Sequence, residues 1–93
     1  MTIYTRVEGQ EIRNRWVDRN ERVREAGEVL ILQAKSRLQV IAPYSASFRA
    51  GMVEIGARWR RQSGMWSVHE SLRERVLELV VKCFGADKLR IRP

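Results

Sequence analysis

Side chains that carry catalysis or bind metals are scarce in this chain. It has one cysteine, Cys83, and one histidine, His69, among 93 residues. A single cysteine excludes an internal disulfide and cannot form a metal site by itself. Cys83 and His69 stand toward the two ends of one expected helix, so they cannot act as a nucleophile and its base. We therefore expect a protein that is not an enzyme and that uses no cofactor and no metal.

Phosphate-binding loop motifs and long apolar segments are also missing. Neither GxxxxGK[S/T] nor GxGxxG occurs in the sequence. No apolar run approaches the roughly eighteen residues that a membrane-spanning helix needs. Residues 1–10 lack the apolar stretch of a signal peptide. The sequence predicts one cytoplasmic domain over residues 1–93, with no membrane partner.

Arginine, in contrast, is abundant and unevenly distributed. The chain holds 18 basic and 11 acidic residues, for a net charge of +7. Residues 1–28 are neutral, so the whole excess lies in residues 29–93. Arginine is well suited to bidentate phosphate contacts, and such asymmetry is typical of a surface for an anionic partner. GC-rich coding also enriches a protein in arginine, so composition alone leaves both explanations open.

Helical periodicity appears at both ends of the chain. Residues 9–27 predict a charged helix with a thin apolar stripe, and we treat 1–28 as a helical extension. Residues 72–84 carry the strongest helical pattern, which begins near a cap at His69 or Ser71. A short helix is expected after Pro43, capped by Ser45 or Ser47.

Strand patterns fill most of the remaining chain. Two β-rich runs, 29–32 and 38–41, predict a β-hairpin with a five-residue connection. Residues 88–92 alternate strictly and predict an edge strand with Leu89 and Ile91 pointing inward. The expected fold is a single small α+β domain. It has an antiparallel β-sheet with helices on one face and a ββαββα core over residues 29–92, followed by the short C-terminal strand.

The segment 56–68 combines tryptophans, arginines and a glycine-containing turn. If its connection has an even number of residues, Trp59 and Trp66 share one face of a hairpin, and Arg58 and Arg60 share the other. A three-residue connection would instead separate the two indoles. We favour an even connection. The tryptophans then have two open roles, because they either stack on unpaired bases or fill the core, and packing favours at least one in the core.

Several short motifs together resemble a small bacterial domain found on plasmids, integrative elements and phages. They are Val40-Ile41-Ala42-Pro43-Tyr44, Gly56-Ala57-Arg58-Trp59, Trp66-Ser67-Val68 and Phe84-Gly85. The chain is also similar, more distantly, to the HepA-related (HARP) domain, a module of annealing helicases that engages DNA. The resemblance covers residues 29–92 and implies a compact ββαββα domain from mobile DNA. His69 departs from the acidic helix cap that is common in that domain.

Basic residues on the predicted strands and turns form the candidate binding surface. They are Lys35, Arg37, Arg58, Arg60, Arg61, Lys88, Arg90 and Arg92. Together they would neutralise several phosphates and bind nucleic acid by releasing counterions. Single-stranded or forked DNA, or RNA, is the expected partner, because exposed indoles stack on unpaired bases. The first hypothesis is a non-catalytic nucleic-acid-binding protein encoded on a mobile element.

An alternative is a protein that inhibits a host defence complex, in the manner of an anti-CRISPR protein. Trp16, Arg19 and Val23 on the N-terminal helix would then form a protein interface, which could also support a homodimer. The charge of +7 argues against a mimic of DNA, which would be acidic. An inhibitor that docks on an acidic protein surface remains compatible with the sequence.

Overall fold

The computed structural model describes residues 19–92, which form one sheet with helices packed against it. Helix α1 covers residues 19–25 of the described chain. The later elements are β1 (Val29–Ala34), β2 (Arg37–Ile41), α2 (Ala46–Glu54), β3 (Arg58–Arg60), β4 (Met65–His69), α3 (Arg73–Cys83) and β5 (Leu89–Arg92). Short 3-10 turns, Glu70–Leu72 and Ala86–Lys88, stand on either side of α3.

The five strands lie in the order β3-β4-β2-β1-β5. The α+β class is confirmed, but the expectation of a wholly antiparallel sheet is wrong at one strand. β5 pairs with β1 in parallel, whereas the other three pairs are antiparallel. A parallel neighbour needs a long crossover connection. The chain from β4 through α3 provides one, and β5 then enters the sheet beside β1.

The main hydrophobic core lies on one face of this sheet, beneath α2 and α3, whereas Leu30 and Ile41 are buried on the opposite face. Apolar side chains at alternate strand positions point to that face because the side-chain period of a strand is two. The core comprises Val29, Ile31, Leu38, Val40, Trp66 and Val68 from the strands and Phe48, Met52, Val76 and Val80 from the helices. Leu89 packs against this core, in agreement with its expected inward orientation.

The helix starts settle two alternatives that the sequence left open. The Ser45 hydroxyl accepts a hydrogen bond from the Phe48 amide at 3.2 Å, so Ser45 and not Ser47 caps α2. The His69 imidazole, through Nδ1, accepts from the Ser71 amide at 3.1 Å and caps the turn before α3. Gly51 allows α2 to approach α3, since a Cβ there would lie 2.5 Å from Leu79 Cδ2.

Both hairpins have tight connections of even length. In the second, Trp59 lies directly opposite Trp66, so four residues connect β3 and β4 and the predicted even connection is confirmed. In the first, β1 and β2 extend further than expected and leave a two-residue turn that includes Lys35 at φ +58°. The predicted five-residue connection is wrong because Gln33, Ala34 and Arg37 all continue the ladder.

Gly64 ends the turn between β3 and β4 in a left-handed conformation, at φ +66°. We expect Gly64→Ala to lower the free energy of unfolding by about 1–2 kcal/mol, because an L-residue is strained there. An added Cβ would also lie 2.9 Å from a guanidinium nitrogen of Arg24. Urea denaturation measures the change, with Gln62→Ala in the same turn as the control. Equal stability of the two variants would contradict this account of the turn.

Candidate functional site

Five arginines occupy strand positions, and all five point to the same face of the sheet. In β3, Arg58 and Arg60 alternate with Trp59, which points to the core side opposite Trp66. In β2, Arg37 alternates with the core residue Leu38. The other two belong to β5, where Arg90 and Arg92 lie opposite Leu30 and Leu32. We call the surface defined by Arg37, Arg58, Arg60, Arg90 and Arg92 the arginine face.

Acidic residues are absent from all five strands. Those within residues 19–92 lie in helices, turns and connections. They are Glu21, Glu25, Glu28, Glu54, Glu70, Glu74, Glu78 and Asp87. No strand residue on the arginine face therefore offsets its positive charge.

One row of side chains crosses the whole sheet on this face. It runs through Arg58, Ser67, Gln39, Leu32 and Arg92 in directly paired positions. Neighbouring strands are about 4.8 Å apart, so the two arginines at its ends are separated by roughly 19 Å. The row thus places cations at both edges of the sheet, with two polar side chains and Leu32 between them.

A depression with a volume of about 240 Å³ lies beside this row. Its lining includes Arg37, Arg60, Gln39 and Ser67, and these side chains supply hydrogen-bond donors. The Arg37 guanidinium donates from Nε to the Ser67 hydroxyl at 2.7 Å, which fixes its orientation. Its two terminal nitrogens, whose geometry matches a phosphate, make no contact with a carboxylate of residues 19–92.

Arg90 differs from the other members of the arginine face. Its guanidinium forms an ion pair with the Glu28 carboxylate at 2.7 Å and donates to the Asp87 carbonyl at 2.8 Å. Its contact with phosphate stays a prediction, and the Glu28 carboxylate would compete for that contact. The other four arginines of the face make no ion pair with a carboxylate of residues 19–92.

Three of the eight predicted binding residues lie outside the strands. Lys35 is in the turn between β1 and β2, and Arg61 is in the turn between β3 and β4. Lys88 ends a 3-10 turn instead of starting β5. By strand register, Lys35 lies at one end of the sheet, and the other two lie at the opposite end. These three residues therefore lie beyond the strand positions that define the arginine face, and their contact with nucleic acid stays a prediction.

The two tryptophans of the second hairpin have different environments. Trp66 is 8% exposed and belongs to the core, which confirms that at least one indole packs there. Trp59 is 50% exposed, with its ring centroid 5.3 Å from that of Trp66 in an edge-to-face contact. Both point away from the arginine face. The indoles and the strand arginines therefore lie on opposite faces of the hairpin, as the even connection predicts.

Helix α1 contacts the turn between β3 and β4. The buried Asn20 side chain donates to the Ser63 carbonyl at 3.0 Å, and the Arg24 guanidinium donates to the Gly64 carbonyl. Arg19, predicted at a protein interface, donates to the Asn20 side chain at 3.3 Å, and Val23 is half-buried. Trp16, the third residue of that predicted interface, lies outside the described residues.

Comparison with known proteins gives no relative from which a role could be transferred. No family model, curated protein or solved structure matches this chain. Residues 19–92 contain no group of three or more side chains suited to a metal ion. The same residues contain no helix of the length and apolarity that a membrane crossing requires. The function therefore has to be inferred from the site itself.

Gln39 and Ser67, which lie between the arginines of the face, were not among the predicted site residues. Strand alternation could have indicated them. Gln39 stands two positions after Arg37, Ser67 stands two positions before His69, and residues two positions apart in a strand point to the same face. Tyr44, Arg24 and Arg49, which meet at a groove on the helix side of the sheet, were not predicted either. These three come from separate parts of the chain, so no local pattern connects them.

Proposed function

We propose that this protein binds nucleic acid through the arginine face and catalyses no reaction on it. The observation that carries the proposal is that all five strand arginines share one face while no strand contains an acidic residue. The cations extend over roughly 19 Å. This span is longer than one phosphate group and matches several consecutive phosphates of a nucleic-acid strand. A polyanion is thus the partner that this surface fits best.

Single-stranded or forked DNA, or RNA, fits the arginine face better than duplex DNA does. A five-stranded sheet is too wide for the major groove, which admits a helix or a two-stranded ribbon. The strand residues of this face include one ring, the His69 imidazole, which already accepts a hydrogen bond from the Ser71 amide, and no Phe, Tyr or Trp. Its contacts are therefore mainly to phosphates, which carry no sequence information. We expect little sequence preference from this face.

Fluorescence anisotropy with labelled single-stranded, forked and duplex DNA, and with RNA, tests the proposal across a series of salt concentrations. Four arginines without a carboxylate partner among residues 19–92 predict a slope of log K against log salt of about −2.8 for a single strand, at about 0.7 per phosphate. Single strands and forks should bind more tightly than duplex. Absence of binding at low salt, or an affinity that does not change with salt, would rule the proposal out.

Removal of the Glu28 carboxylate should strengthen binding. Glu28→Gln breaks the ion pair with Arg90 and frees that guanidinium for phosphate. We expect the affinity for a single-stranded oligonucleotide to rise several-fold at low salt, with a slope steeper by about 0.7. Stability should change by less than about 1 kcal/mol, because exposed ion pairs contribute little.

The control for this variant is Glu74→Gln, which makes the same change of charge in α3. It should leave the slope unchanged. If both variants raise the affinity equally, net charge and not the freed Arg90 is responsible, and this role of Glu28 is refuted.

A mobile genetic element as the source of the gene is a second part of the proposal. The resemblance of residues 29–92 to the plasmid and phage domain, and to the HARP domain, supports it. The genes beside this one provide the test. Integration, conjugation or phage genes in the neighbourhood would agree with the proposal, and a housekeeping operon would count against it.

A further inference from the structure

A groove with a volume of about 560 Å³ lies on the helix side of the sheet, next to β3. Two exposed aromatic side chains line it, Tyr44 at 82% and Trp59 at 50% exposure. The buried rings of Phe48 and Trp66 also contribute to its lining. A cavity of this size is within the range of about 300–1,000 Å³ that is usual for pockets that bind small organic groups.

Within residues 19–92, the charged side chains of the groove are cationic. They are Arg24 and Arg49, and the lining from this part of the chain includes no carboxylate. Arg24 is held in place by its hydrogen bond to the Gly64 carbonyl. Flat aromatic surfaces beside unopposed guanidinium groups suit a ligand that is itself a flat ring attached to an anion.

We propose that this groove takes an unpaired nucleobase, together with its phosphate, from the strand bound on the arginine face. This inference rests on the proposed function. The base would stack on Tyr44 and Trp59, while Arg24 and Arg49 contact the adjoining phosphate. The site would add a preference for single-stranded over paired nucleic acid, because a base within a duplex cannot enter the groove.

The position of β3 connects the two surfaces. β3 is an edge strand, and all three of its residues are exposed. Arg58 and Arg60 point to the arginine face, whereas Trp59 between them points to the groove. A nucleic-acid strand that crosses this edge could therefore leave its phosphates on one side and insert a base on the other.

Tyr44→Ala tests the proposal, since a side chain that is 82% exposed contributes little to folding. The probes are a ten-nucleotide thymidine strand and an abasic strand of the same length, which has the same phosphates without bases. The wild-type protein should bind the thymidine strand about tenfold more tightly than the abasic strand. Tyr44→Ala should remove most of this difference, and Tyr44→Phe should retain it. Val81→Ala, at an exposed apolar residue of α3, is the control.

A second variant examines the other wall of the groove. Trp59→Ala should reduce the affinity for the thymidine strand several-fold, whereas Trp59→Phe should keep most of it, because a phenyl ring still stacks. Neither variant should alter binding of the abasic strand, since both leave the strand arginines in place.

The outcomes distinguish this inference from the proposed function. Equal affinity of the wild-type protein for both strands would overturn base insertion and leave phosphate binding intact. An unchanged thymidine affinity in Tyr44→Ala would also overturn it, and would favour a side chain of a protein partner as the occupant of the groove. If neither strand binds, both this inference and the proposed function fail.

Discussion

Replacing Arg58 and Arg60 by glutamate is expected to lower the affinity for single-stranded DNA at least about a hundredfold at low salt. Both side chains are exposed on the edge strand β3, so each would contact phosphate directly. The substitution removes two cations and introduces two anions on the same surface. The new carboxylate of Arg58→Glu would also lie opposite Ser67, to which Arg37 already donates, and would compete with phosphate for Arg37.

A charge-matched variant separates this local effect from net charge. Arg75→Glu with Lys82→Glu makes the same total change on exposed residues of α3, on the opposite side of the sheet. We expect this control to lose less than about tenfold in affinity, because only long-range attraction is reduced and salt screens it. Anisotropy titrations of both variants with one labelled oligonucleotide give the comparison. Similar losses in the two variants would show that the arginine face is not the binding surface.

Phe48→Ala is expected to have the largest effect on folding, with a loss of about 3–5 kcal/mol in the free energy of unfolding. Phe48 is fully buried between α2 and the sheet, and its ring contacts Phe84 edge-to-face with centroids 5.2 Å apart. Truncation would leave a cavity and remove that contact. Small domains have only about 0.05–0.15 kcal/mol of stability per residue, so the variant would lose a large share of the total.

Urea denaturation followed by circular dichroism measures this loss. Val53→Ala is the control, because Val53 is an exposed apolar residue of the same helix. It should change stability by less than about 0.5 kcal/mol. A cost below about 1 kcal/mol for Phe48→Ala would contradict the assignment of α2 to the core.

The second hairpin was predictable because strand geometry is local. An even connection fixes which side chains share a face, so the positions of Trp59, Trp66, Arg58 and Arg60 followed from the spacing alone. Alternation likewise predicted the inward orientation of Leu89. In these segments the period of two and the turn residues agree, so sequence and structure coincide.

The order of the strands was not predictable, and the site depends on it. Only the pairing of β5 with β1 brings Arg92 onto the same face as Arg58. The ion pair between Glu28 and Arg90 arises from the same long-range pairing. Nothing within a local stretch of the chain specifies which strand will be the neighbour of β5. The prediction of an antiparallel sheet was wrong at β5 for this reason.

The two indoles also show the limit of a local pattern. Trp59 and Trp66 occupy paired positions on one face, yet one is exposed and the other is buried. The difference in exposure comes from the position of each strand in the sheet. β3 is an edge strand, whereas β4 lies between β3 and β2. Alternation predicts the shared face but not the distance from the edge.

The most direct test of the central claim observes the arginine side chains during binding. Two-dimensional NMR of the ¹⁵N-labelled protein resolves the guanidinium Nε signals, and a thymidine oligonucleotide is then added. The account predicts shifts at Arg37, Arg58, Arg60 and Arg92, with Arg73 and Arg75 of α3 unchanged. Shifts confined to the arginines of α3, or an unaltered spectrum at low salt, would contradict it.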